Sequence, residues 1–336
     1  MSGRPQTDPV LEVDGLSLRL RGSTNPADLV QSVSFDVGKG ECLALIGESG
    51  CGKTLTSLSI LGLLPSAVSA ISGSIKLNGA DLLRKGEREL GRIRGKQIGA
   101  IFQDPMSCLD PTMRIGDQIA ESRRIYLGES RRVARGHAVD LLDRVGIPRA
   151  KERLDAFPFQ LSGGMQQRVM IAAAVACEPA LLLADEPTTA LDVTVQQGIL
   201  DLLRSLQAEL GLSVLLVTHD LGVVADFSDR VAVMYAGQIV ERGRTAELLD
   251  HQPSHPYTRA LLASVTQTGK AHTLLPTIPG RVPSATEMPT GCRFQARCAH
   301  ASPDVCGEPQ AEVSLGPGRA CRCVRVTDIE ELRMSR

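Results

Sequence analysis

The stretch LSGGMQQRVMIAAAVACEPALLLADEPTTALD, residues 161–192, decides how this chain folds. It opens on Ser162, Gly163 and Gly164, runs through an apolar helical segment, and passes Glu178 and Pro179 into ALLLAD at 180–185. An apolar run without polar alternation is what a parallel strand buried on both faces requires. Asp185 and Glu186 stand at its end. A lone carboxylate closing a buried strand is costly, so Asp185 is expected to face a divalent cation such as Mg2+. Glu186, pointing elsewhere, is then placed to take a proton from an attacking water. The alternative is a pair of solvated turn acids before Pro187. Ser162 and the two glycines form a helix entry whose open N–H groups suit an anion. Taken alone, they also make an ordinary N-cap.

Upstream, GESGCGKT at 47–54 fills every fixed position of the pattern G-x-x-x-x-G-K-[ST]. ECLALIG (41–47) reads as a short buried strand feeding this loop, and LTSLSILGLL (55–64) has helical potential. Gly47, Gly50 and Gly52 let the backbone curl, so that successive N–H groups, that of Ser49 included, point at one anion. The helix that follows adds its positive end. Lys53 is expected to reach the β- and γ-phosphates of a nucleotide, and the Thr54 hydroxyl to ligate Mg2+. Cys51 fills a variable position. Gln103 lies between this loop and the 161–192 stretch, and His219 follows in LLVTHD.

The length, 336 residues, suits one large domain plus an appendage, and 43% hydrophobic residues suffice for a sizeable core. A net charge of −1 leaves no nucleic-acid footprint over the whole chain. Arg131, Arg132 and Arg135 read as a solvated helix face. No apolar stretch approaches the roughly 18–20 residues of a membrane span, so the chain is expected not to cross a membrane alone. Residues 1–10 are polar and contain proline. They show no signal-peptide pattern and are expected to be disordered. Nine cysteines without such a signal point to a reducing cytosol rather than to disulfides.

Residues 11–20 and 31–37 alternate apolar and polar positions, as antiparallel strands with one covered face do. Further strands are expected at 73–79, 97–103 and 213–220, with a hairpin over 230–243 turning at Ala236-Gly237. From about 105 to 176 strand-like runs give way to charge-rich helical segments. After about 250 the chain becomes rich in Pro, Gly and Cys and reads as a separate, loop-rich module, 251–336.

In this order, the phosphate loop, Gln103, LSGGM, the Asp185-Glu186 pair and His219 resemble the nucleotide-binding subunit of an ATP-binding cassette (ABC) transporter. The resemblance implies an α/β fold with a P-loop core over 11–250, an antiparallel β subdomain, an inserted helical subdomain at about 105–176, and a small Cys-rich extension. It implies that Glu186, His219 and Gln103 are catalytic. Gly47, Ser49, Gly50, Gly52, Lys53 and Thr54 would bind ATP, with Gln103 and Asp185 joining Thr54 around Mg2+. Two subunits pack head to tail in this family, so Ser162, Gly163, Gly164 and the D-loop residue Asp192 would serve the partner's nucleotide. The family often carries Gln where Met165 stands, and an aromatic near the first strands that stacks on adenine. The first aromatic here is Phe35, which reads as a core residue. Leu20 or Arg21 is left for that task.

HQPSHPYTRALLAS (251–264), IPGRVPS (278–284), GCRFQARCAHASPDVC (291–306) and FQDPMSCLDP (102–111) resemble the oligopeptide and dipeptide importer ATPases. Nickel, opine and glutathione importers belong to the same subfamily. The resemblance implies a peripheral subunit at the cytoplasmic face of the inner membrane. Its partners would be two membrane permease subunits, a second ATPase (a similar chain or a copy) and an extracytoplasmic solute-binding protein. The rival is a soluble ABC-type ATPase acting on nucleic acid or ribosomes. Such proteins carry two cassettes, a long coiled coil or C-x2-C modules, and this sequence has none of them. The tail cysteines follow C-x5-C-x7-C-x14-C-x-C. They are either reduced thiols or a metal site, and some relatives hold an iron–sulfur cluster there. A [4Fe–4S] cluster would take Cys292, Cys298, Cys306 and Cys321, with Cys323 as the other fourth ligand and zinc as the other metal. The tail lies far along the chain from the ATPase motifs. It is therefore expected to act on stability or assembly rather than on hydrolysis.

Overall fold

A computed structural model of the chain describes residues 8–21, 28–189, 191–250, 253–264, 277–284 and 287–328. Of the 1–10 segment expected to be disordered, residues 1–7 lie outside the described residues. Val10 is buried, and its N–H donates to Val37 O at 2.9 Å. The chain divides into two compact units.

The first unit comprises Met1–Leu11, Val37–Cys42 and Leu77–Val217. Its parallel strands are Ile98–Ile101, Leu181–Asp185 and Ser213–Thr218, the last running one residue past the unit boundary. Leu181 faces both Ile98 and Ser213, which puts Asp185 opposite Val217 at the strand end. Leu181 to Ala184 are all buried, as an unalternated apolar run in a central parallel strand should be. Between the first two strands the chain makes its helices, chiefly Ile115–Leu127, Arg131–Arg144 and Gly163–Val175. Gly163–Val175 packs behind Ile98–Ile101, and Gly99 permits it: a Cβ there would stand 2.3 Å from Ala174 O. In Arg131–Arg144 the Ser130 hydroxyl caps Val133 N, and Ala134, Ala138, Leu141 and Leu142 bury one stripe. Of the arginines read as a solvated face, Arg131 and Arg132 are exposed, and only Arg135 is partly buried. Arg131 and Arg135 both bond Asp117, and Arg135 also bonds Asp155 at 2.7 Å. The Arg135 guanidinium holds the Asp155 carboxyl below its usual pKa.

The second unit comprises Glu12–Asp36, Leu43–Lys76 and Thr218–Arg336. One sheet orders Asp28–Val37, Leu11–Leu20 and Val68–Leu77 side by side. A second runs Val313–Gly316, Arg319–Cys321, Gln238–Arg244, Arg230–Tyr235 and Cys42–Ile46. Arg230–Tyr235 and Gln238–Arg244 form the expected hairpin, with Ala236 and Gly237 in its turn at φ 45° and 83°. The tail does not stand apart from this sheet. Arg319–Cys321 pairs antiparallel with Gln238–Arg244, Glu241 facing Cys321, and so covers an edge that would otherwise present open backbone groups. Helix Pro256–Ala263 is built from the His-Pro-Tyr triplet. His255 Nδ1 accepts from Tyr257 N at 3.1 Å, Pro256 takes the first helical position, and Tyr257 is fully buried. Burial pushes the His255 pKa down to about 3, so its ring is neutral. The buried Glu241 carboxylate accepts from Ser254 N and His255 N at 2.7 and 3.0 Å, which anchors the start of this helix.

Among the described residues no helix is long and apolar enough to cross a membrane.

Candidate active site

The phosphate loop lies in the second unit. The fully buried strand Cys42–Ile46 ends at Gly47, and helix Lys53–Leu61 begins six residues later from Gly52, whose φ is 105°. Gly47 is dictated by packing, because a Cβ there would stand 2.1 Å from Met234 O. Lys53 is buried, and its ammonium donates to Gly47 O at 2.7 Å and Glu48 O at 3.1 Å, so it sits inside the curl of its own loop. Ser49, Gly50 and Thr54 are exposed at the loop and helix start. No acid occupies the first turn of the helix, which leaves its positive end uncompensated. A concave backbone, a trapped cation and an unopposed helix dipole form an anion site. Cys51 is buried beside Lys53, and burial pushes its thiol pKa up.

The acids lie in the first unit. Asp185 closes its strand half-buried. Glu186 turns away in a left-handed conformation, φ 49°, with its N–H donating to Val217 O at 2.8 Å. A bulky residue at positive φ is strained and is held there by its surroundings. The Glu186 carboxylate accepts from Gln103 Nε2 at 3.0 Å and from the Thr189 hydroxyl at 2.9 Å. Gln103 is exposed, two residues beyond strand Ile98–Ile101 rather than within it. Gln103 and Glu186 are therefore partners, a link that sequence order alone does not provide.

Ser162 is exposed and takes the N-cap position of helix Gly163–Val175, yet its hydroxyl makes no capping bond to that helix. The N-cap alternative is thus only positional, and the side chain remains on the surface beside Gly163. Asp192 does cap. It begins helix Val193–Leu210 and accepts from Val195 N at 2.9 Å, while Gly211 ends that helix at φ 65°. In the second unit, His219 is exposed directly after strand Ser213–Thr218, and Asp220 next to it caps helix Leu221–Phe227 through Gly222 N and Val223 N. Of the adenine candidates, Leu20 and Arg21 are both exposed at the end of the first strand, and Phe35 is buried core.

Two residues of the C-terminal extension bond the phosphate loop directly, and a third reaches it through the hairpin turn at Ala236-Gly237. The Tyr257 hydroxyl accepts from Glu48 N at 3.0 Å. Arg297 bonds both Glu48 carboxylate oxygens, at 2.7 and 3.1 Å, and this pair raises the Arg297 pKa. Arg293 donates to Ala236 O, and the neighbouring Gly237 N–H donates to Cys51 O at 2.8 Å. The tail expected to be remote from the ATPase motifs therefore touches one of them. The only signal for this in the sequence is an acid at a variable position of an anion-binding loop.

Cys292, Cys298, Cys306 and Cys323 line one cavity, together with His255, Phe294 and His300. Cys321 is not in that lining. It is fully buried on its strand, opposite Glu241. Burial pushes the Cys292 thiol up to about 11 and raises Cys298 and Cys323 as well, so the thiols are neutral without a cation. The donor chemistry suits a soft metal. The placement does not amount to a ligand set: among the described residues, no three His, Cys, Asp or Glu side chains stand so as to hold a metal ion.

Known proteins share both halves of this chain. The family model "ABC transporter" matches residues 30–189, and "Oligopeptide/dipeptide transporter, C-terminal region" matches 240–306. A relative from Brucella abortus (strain 2308), named "Putative peptide import ATP-binding protein", is 47% identical over 318 residues, covering 95% of each chain. This chain belongs to the ABC transporter ATP-binding subunits. Solved structures agree on the cassette. A dimeric structure of MJ0796, a bacterial ABC transporter cassette, superposes with TM-score 0.62 at 27% identity over 70% of this chain and 98% of its own. The structure of cbiO1 from Clostridium perfringens, part of the transporter complex cbiONQ, gives 0.63 at 26% identity over 73% and 92%. ATP with Mg2+ is accordingly the ligand class of this ABC ATPase.

Proposed function

We propose that this ABC ATPase drives import of oligopeptides or dipeptides through separate membrane subunits. The supporting observation is that one chain carries both the cassette match and the oligopeptide/dipeptide C-terminal match. In this reading Gly47, Ser49, Gly50, Gly52 and Lys53 bind the ATP phosphates, and Thr54, Gln103 and Asp185 hold Mg2+. Glu186 takes the proton of the attacking water, and Gln103 governs when its carboxylate is available. His219 contacts the γ-phosphate. Ser162, Gly163, Gly164 and Asp192 act across a head-to-tail dimer, whose second member is a similar ATPase or a copy. The cassette spans 11–250, with its helical part at about 105–176, and the extension follows. The dimer sits on two permease subunits at the cytoplasmic face of the inner membrane, and an extracytoplasmic binding protein delivers the solute.

A [4Fe–4S] cluster at the extension's cysteines, with zinc as the other metal, is proposed only with these side chains drawn together around it, because among the described residues no three of them stand so as to hold a metal ion. Cys292, Cys298 and Cys306 supply three ligands. Cys323 supplies the fourth in preference to Cys321, because it shares the cavity lining.

The test of the substrate is ATPase stimulation in the reconstituted complex. Binding protein loaded with short peptides should raise phosphate release. Stimulation by nickel, an opine or glutathione, with none by peptides, would overturn the peptide reading.

A further inference from the structure

Glu48 is the one acid of the phosphate loop, a place where negative charge opposes the ligand. Its carboxylate is three-quarters buried and pairs with the guanidinium of Arg297, whose side chain is only 5% exposed. The contact is two-pronged, Nη1 to Oε2 at 2.7 Å and Nη2 to Oε1 at 3.1 Å. Such a fork fixes direction as well as charge. Arg297 itself is held from three sides. Its Nε donates to Pro279 O at 2.7 Å, and its Nη2 donates to Ile278 O at 3.3 Å. Its guanidinium lies over the Tyr235 and Phe294 rings, 5.7 and 6.0 Å from their centroids. Tyr235, Tyr257 and Phe294 pack on one another, so the support is a rigid aromatic cluster. The same cluster presents the Tyr257 hydroxyl to Glu48 N. Both the side chain and the backbone of Glu48 are thereby fixed by the C-terminal extension.

We infer that Arg297 is a positioning residue for nucleotide binding: it neutralises Glu48 and holds the phosphate loop open to an anion. Without it, the loop carries an unpaired carboxylate next to Gly47, and the phosphates meet that charge. The inference rests on the reading of 47–54 as the phosphate site. It gives the extension a part in ATP binding, beyond assembly.

The test is the affinity of the full-length chain for a fluorescent ATP analogue with Mg2+, alongside melting temperatures. Arg297→Met should weaken binding about tenfold, equal to 1.4 kcal/mol. The loss should shrink as salt is raised, since salt screens the unpaired carboxylate on its open side. Glu48→Gln should bind as tightly as the wild type or more tightly. Combining the two should return affinity to within about twofold of the wild type, because the opposing charge is gone. Wild-type affinity in Arg297→Met, or a double variant as weak as the single one, overturns the inference. Arg297→Lys keeps the charge and the stem packing and should stay within about threefold. A tenfold loss there at an unchanged melting temperature contradicts the electrostatic role, even where Arg297→Met does not fold. A wild-type chain that fails to bind the analogue at all counts instead against the functional reading itself.

Discussion

Glu186→Gln separates fold, binding and chemistry most sharply. Glu186 accepts from Gln103 Nε2 at 3.0 Å and from the Thr189 hydroxyl at 2.9 Å. The new amide can set one donor against the Gln103 amide, but Gln103 is exposed and free to turn its oxygen to it. The net loss is then no more than one hydrogen bond, about 1 kcal/mol. A glutamine also occupies the φ of 49° no worse than a glutamate does. ATP affinity should stay within about twofold, and melting should shift by no more than about 2–4 °C. Turnover is different, because an amide cannot take a proton from water. Loss of a general base lowers the rate by about 10²-fold or more, roughly 2.7 kcal/mol of barrier. Phosphate release by the assembled transporter, measured beside ATP binding to the same preparation, reads both. Near-normal hydrolysis would remove Glu186 from the role of base. Lost binding with proportionate unfolding would show that its hydrogen bonds matter more than its chemistry.

Three further outcomes follow from the site. Ser162→Arg should leave ATP binding to the isolated chain nearly unchanged while blocking hydrolysis in the dimer, if the exposed hydroxyl serves the partner's nucleotide as proposed; a strong affinity loss in the monomer speaks against the head-to-tail arrangement. Tyr257→Phe removes the acceptor of Glu48 N and should lower stability by about 1–2 kcal/mol, seen as a fall in melting temperature; an unchanged melt means the bond contributes nothing. Anaerobically purified protein should carry about four iron atoms per chain with broad absorption near 400 nm, lost in Cys298→Ser and largely kept in Cys321→Ser; zinc in place of iron changes the metal, and no metal leaves plain thiols.

The parts of the site that follow a local rule were legible. The loop glycines, the unalternated strand before Asp185 and the Ser-Gly-Gly entry each impose a backbone requirement on a few consecutive residues. The helical insert showed in its loss of strand texture. Contacts between distant segments were not legible. Glu48 and Arg297 are 249 residues apart, and nothing in either neighbourhood names the other. The Gln103–Glu186 bond likewise joins two strand ends across 83 residues. Cys321 and Cys323 both stood as the fourth ligand because the C-x-C spacing alone does not choose between them. The structure separates them: strand Arg319–Cys321 ends at Cys321, which stays in the sheet, and Cys323 lines the cavity. Arg135 read as solvated because its partners, Asp117 and Asp155, come from other segments.

Whether ATP at this chain's phosphate loop drives uptake is read most directly in the complete transporter. The measurement is phosphate release and labelled-peptide uptake, followed together in proteoliposomes that hold the complete transporter, with Lys53→Ala introduced in this chain only. Lys53 is the buried cation of the loop, donating to Gly47 O at 2.7 Å. Its loss should abolish nucleotide binding here and stop both hydrolysis and uptake. Uptake that continues at the wild-type rate, with phosphate release undiminished, would contradict the claim that this chain powers transport.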